Sequence, residues 1–180
     1  MSDRARNVML LALTVFGVVL AIGAFIALRG GVDNSASKPQ PNTGVATALA
    51  TATTATEPFS GLTSARLGVG GRCLHIVIAD ADTERVAGLR DVTDLGDYDG
   101  MLFVYGSDTD ARFTMSGTPL PLDIGWYAAD GTPVDRTTMT PCIDGSDASC
   151  PVYASSGRYR YALETPAGQG GAGAIGACPA

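Results

Sequence analysis

CLHIVIADADTERVAGLR, residues 73–90, is the stretch on which the fold turns. Its first eight residues are apolar and β-branched and read as a strand. The polar run that follows reads as a short helix, which Asp80 or Asp82 can cap and Gly88 can end. Downstream, MLFVY (101–105), ARFTM (111–115), PLDIGWY (121–127), TPVDRTTM (132–139) and RYRYALE (158–164) read as further strands. Gly106-Ser107-Asp108 and Asp130-Gly131 supply the clearest turns between them. Short strands at this spacing predict a mainly β (α+β) domain over residues 65–180. It is expected as a small antiparallel sheet closing toward a barrel, with one short helix.

Upstream the character changes twice. Val8 to Leu28 is an uncharged apolar run of 21 residues. As a helix it would be about 31 Å long, enough to span a hydrocarbon core. It reads as a single transmembrane anchor, with a cleaved secretory signal as the alternative. Arg4 and Arg6 in the tail 1–7, set against Arg29, favour that tail inside and the domain outside. Residues 29–64 are dominated by TGVATALATATTAT (43–56), a tract of almost only Thr and Ala, so a disordered linker is expected. Its threonines are candidates for O-glycosylation.

The chain is 180 residues long, 46% apolar and 17% charged, which excludes a wholly disordered protein. Residues 66–180 carry eight arginines against fifteen acids, a balance of −7 that argues against nucleic-acid phosphate as a partner. There is one lysine, Lys38, and one histidine, His75. A phosphate loop of the GxxxxGK[ST] kind, a Schiff-base lysine in the domain and a multi-histidine metal site are therefore excluded, and no cofactor is expected.

Four cysteines lie in the part expected outside, an even count that implies two disulfides with three possible pairings. Cys142 and Cys150 flank a short loop and pair most naturally, leaving Cys73 to meet Cys178. Zinc would need closer ligand spacing than these cysteines offer. Asp94, Asp97 and Asp99 do not follow an EF-hand pattern, so solvated loop charge is the default reading over calcium. His75 lies among strand residues and reads as packing, and GQGGAG (168–173) as a terminal loop.

Several blocks resemble the DUF192 family over roughly residues 72–168. They are Gly100-Met101-Leu102-Phe103, Met115 with Thr118, Pro121-Leu122-Asp123-Ile124, Met139 with Pro141-Cys142, and Ala162-Leu163-Glu164. The resemblance implies a compact β-rich fold, often an extracytoplasmic location, and no particular activity. Thr114, Ser116-Gly117, Val92 and the Gly176-Ala177-Cys178 close depart from the family pattern.

The candidate site groups Arg112, Met115, Thr118 and Asp123. The turn through Gly117 and Pro119 would bring Thr118 beside the Asp123 strand, with Arg112 orienting the carboxylate. The default reading of Asp123 is nevertheless a structural carboxylate, bonded to turn amides or paired with Arg112 or Arg136. The functional expectation is a membrane-tethered envelope module binding a ligand, glycan or protein. The alternatives are a carboxylate-dependent hydrolase using Asp123, which would need a second acid, and a purely structural role.

Overall fold

The computed structural model describes residues 42–143 and 148–180. The expected tail 1–7 and membrane span 8–28 lie outside the described residues. Among the described residues no helix is long and apolar enough to cross a membrane.

Ten strands and two short helices make up the described chain. In order they are α1 (Thr43–Ala50), β1 (Thr53–Thr54), β2 (Thr63–Val69), β3 (Arg72–Ala79), α2 (Asp82–Ala87), β4 (Gly100–Thr109), β5 (Phe113–Thr114), β6 (Leu122–Tyr127), β7 (Pro133–Met139), β8 (Val152–Tyr153), β9 (Tyr159–Pro166) and β10 (Ile175–Gly176). The main sheet runs β1-β2-β3-β4-β9-β6-β7, with β10 also on β2, and β5 pairs with β8 in a separate ribbon.

This corrects the expected antiparallel barrel. The sheet is open, with β7 at one end and β1 and β10 at the other. It is also mixed, because α2 crosses from β3 to β4 and sets those two strands parallel. Both faces are covered. Val77, Ala79, Met101, Phe103, Ile124 and Trp126 pack on one side, and Leu67, Ile76, Leu102, Tyr127 and Leu163 on the other. Double-sided burial explains the continuous apolar run in β3, where one-sided strands would alternate.

Two further expectations are revised. Gly106-Ser107-Asp108 is no turn; β4 runs through it, with its pairing to β9 irregular between Val104 and Thr109. Residues 42–64, expected as part of a disordered linker, fold onto the domain. The Asn42 side chain accepts from the Gly44 and Val45 amides and donates to the carbonyls of Asp130 and Ile175. Val45 and Ala48 then lie buried in the core of that face. Small side chains let α1 approach β2 and β10 closely, so a Thr/Ala tract can order without large apolar groups. Further on, Phe59 meets Tyr98 edge to face at 5.6 Å, and the Thr56 amide donates to the Tyr98 hydroxyl at 2.7 Å.

Disulfides join Cys73 to Cys178 and Cys142 to Cys150, the pairing expected from spacing, and no described cysteine is free. Such bridges point to an oxidising, extracytoplasmic location.

Candidate functional site

Strand β9 runs through the middle of the sheet, so the side chains of its inward positions are dehydrated whatever their chemistry. Ala162 and Glu164 face the core that contains Met101 and Ile124, the cross-strand neighbours of Glu164. Glu164 is 5% exposed. Neither of its carboxyl oxygens makes a hydrogen bond or ion pair with a described residue. Burial without a partner disfavours the charged form and pushes its pKa up to about 8.

Glu164 forms the floor of a cleft of about 400 Å³. One wall is α2 and the turn after it, from Asp82 through Arg85 and Val86 to Leu89 and Arg90. The helix start is organised by Glu84, which accepts from the Asp80 and Ala81 amides, and Gly88, at φ +52°, ends it. Arg85 ion-pairs with Asp82, donates to the Val104 carbonyl at 2.7 Å and lies 5.1 Å from the Tyr105 ring centroid. The opposite wall is the β4–β5 connection, Ala111 to Thr114. The Tyr159 hydroxyl donates to the Ala111 carbonyl at 2.7 Å, and Phe113 packs edge to face on Phe103 at 5.1 Å. Phe103, Tyr105 and Thr118 complete the lining. The half-buried Tyr105 hydroxyl is pushed up in pKa, chiefly by burial.

Of the expected site residues, Arg112 and Thr118 line this cleft. Arg112 is exposed and engages no described residue, and the buried Thr118 hydroxyl likewise has no partner among them. Met115 is in the core at 1% exposure. Asp123 is not brought to this group. It faces the other side of the sheet, in register with Thr165 while its neighbour Ile124 aligns with Glu164. Its carboxylate accepts from the Thr138 hydroxyl at 2.6 Å, the Gly168 amide at 2.9 Å and Arg136 at 3.1 Å. Burial raises its pKa, but these donors and the Arg136 charge outweigh that and hold it below the usual carboxylate value. The hollow beside it measures about 10 Å³, no room for a ligand.

The remaining candidates have structural partners. Asp99 accepts from the His75 amide and Asp94 from the Gly96 amide. The His75 ring lies 4.5 Å from that of Tyr98. No group of three or more metal-ligating side chains occurs among the described residues. The GQGGAG loop is tied down through Gly168 to Asp123 and through the Gln169 carbonyl to Arg72. Sequence reasoning passed over Glu164, Arg85, Arg90, Phe103, Tyr105 and Phe113. A signal existed for Glu164: within YALE, alternation puts it on the same face as Ala162.

The fold is that of a mainly β domain built on an open mixed sheet with short helices. The chain belongs to the DUF192 family, described as an uncharacterized ACR, whose pattern matches residues 65–176. It is similar to a protein of unknown function from Novosphingobium aromaticivorans, at 28% identity and TM-score 0.55, covering 66% of this chain and 84% of that one. It is also similar to a candidate transcription regulator from Sinorhizobium meliloti, at 28% identity and TM-score 0.50, covering 58% of this chain and 79% of that one. No curated protein matches it.

Proposed function

We propose that this domain is a ligand-binding module of the cell envelope, held at the membrane by residues 8–28, with the Glu164 cleft as its binding site. One observation carries the reading: a nearly buried glutamate whose carboxyl group has no partner among the described residues and lines a cleft of ligand size. Such a carboxyl has hydrogen-bonding capacity that no side chain of the domain uses, and a bound molecule can take it up in place of water. The aromatic walls add apolar contact, and a few convergent polar groups on an apolar lining are typical of small-molecule sites.

A hydrolase built on Asp123 has no comparable support, since three donors occupy its carboxylate on the far side of the sheet. The regulator description of the Sinorhizobium meliloti protein does not favour DNA here either, because the domain balance is −7. The test is a thermal-unfolding screen of the full chain against a mixed library of small polar and aromatic compounds. Ligands that raise the midpoint should lose their effect when Ala111→Trp fills the cleft. A stabilising ligand indifferent to that substitution would place the site elsewhere.

A further inference from the structure

The charge layout of the cleft narrows the chemistry of its ligand, an inference that rests on the cleft being the binding site. In a stretch of balance −7, three of the eight arginines line this one concavity, against two acids, Asp82 and Glu164. Asp82 is already committed to Arg85, and Arg90 is engaged as well, which leaves Arg112 of the three. Arg112 is exposed and engages no described residue, so its planar fork of donors is open to a ligand. Phe103 and Phe113, packed edge to face, give the same cleft an apolar surface. The Glu164 carboxyl and the Thr118 hydroxyl, neither bonded to a described residue, line it as well.

We propose that the cleft binds a small organic acid. Its carboxylate pairs with Arg112 at the mouth, its apolar or ring body lies against Phe103 and Phe113, and a hydroxyl or carbonyl at its far end bonds to Glu164 and Thr118. A cationic ligand fits worse. It would meet Arg85 and Arg112 in the same lining, and burial shifts the carboxyl there toward its neutral form. A protonated Glu164 can donate to the ligand, whereas an ionised one cannot. The charged and titratable groups that share the cleft lining with it are Tyr105 from β4, Asp82 and Arg85 from α2, Arg90 after it, and Arg112 from the β4–β5 connection.

The experiment is calorimetric titration of the full chain, in detergent micelles, with an isosteric series: para-hydroxyphenylacetate, its neutral amide, and the cation tyramine. Inorganic phosphate serves as a bare anion. The acid should bind about tenfold or more tightly than the amide, and tyramine most weakly. Arg112→Gln should abolish that preference; the residue is exposed, and an unchanged melting curve confirms folding. Affinity for the acid should fall as pH rises through about 8, and Glu164→Gln, which keeps a donor, should flatten that dependence. Equal or tighter binding of the amide or tyramine, still sensitive to Ala111→Trp, overturns the organic-acid proposal and leaves the cleft as the site. Phosphate binding tighter than the acid also overturns it. No heat from any of the four overturns the organic-acid proposal and leaves the cleft to the library screen, whereas binding unmoved by Arg112→Gln and Ala111→Trp alike removes both readings.

Discussion

Asp123 and Glu164 are both buried acids on adjacent strands, and their surroundings drive them in opposite directions. Asp123 has three donors, one of them the Arg136 guanidinium, so its charged form is favoured in the folded state. Its contribution to stability is present above the ordinary value of 3.8 and is lost as pH falls below it. Asp123→Asn should cost about 1–3 kcal/mol in denaturant unfolding, by mispairing the Thr138, Gly168 and Arg136 contacts. Glu164 has burial and no donor. The unfolded chain releases this proton near 4.5 and the folded chain only near 8, so stability declines as pH rises across that interval. Glu164→Gln should flatten the decline; a wild-type curve that is already flat there would contradict the buried, unpaired carboxyl. Both acids are visible in the sequence. What separates them is the company each keeps across the sheet, which residue type does not encode.

At the scale of elements, the β2–β3 hairpin closes through Gly70-Gly71, both at positive φ, the backbone of a type I′ turn. Space distinguishes the two. A Cβ on Gly70 would lie 1.7 Å from the Ala172 carbonyl oxygen, whereas at Gly71 nothing lies within 4 Å. Gly71→Ala should therefore cost about 1–2 kcal/mol of left-handed strain. Gly70→Ala should cost measurably more in the same unfolding assay, because the 172–175 segment must also move. That Gly-Gly pair before a β-branched run is a legible hairpin signal, and it marks β2, which the composition of its surroundings concealed. Asn42 is the other hinge of this region. Asn42→Ala removes the α1 cap and two bonds to the 130 turn and β10, and should cost about 2 kcal/mol or somewhat more. Isolated, α1 is too short to be stable. It orders because Val45 and Ala48 close over β2 and β10, a contact that spans more than a hundred residues of sequence and leaves no local trace.

At the scale of the molecule, the folding unit is larger than the family match. A chain beginning at Thr63 should melt below one beginning at Lys38, because it lacks Val45, Ala48 and Phe59 from the two cores. The Cys73–Cys178 bridge spans a separation of 105 residues, and in the loop-entropy account is worth about 4–5 kcal/mol, against roughly 2–3 for the eight-residue separation of Cys142–Cys150. Cys73→Ser with Cys178→Ser should therefore lower the unfolding midpoint more than Cys142→Ser with Cys150→Ser. The second pair matters differently. The Gly117 amide donates to the Cys142 carbonyl, and β5 pairs with β8, so this bridge braces the wall that carries Arg112 and Thr118. The positions of β3, β6, β7 and β9, the β-rich class, the family and the cysteine pairing were written in residue types, because each depends on local alternation, motif or spacing. The parallel step between β3 and β4, the open sheet, the docked α1 and the choice of Glu164 over Asp123 as the unpaired acid came only with the tertiary structure. They depend on which strand lies beside which. A carboxylate is satisfied or stranded by donors that arrive from far along the chain.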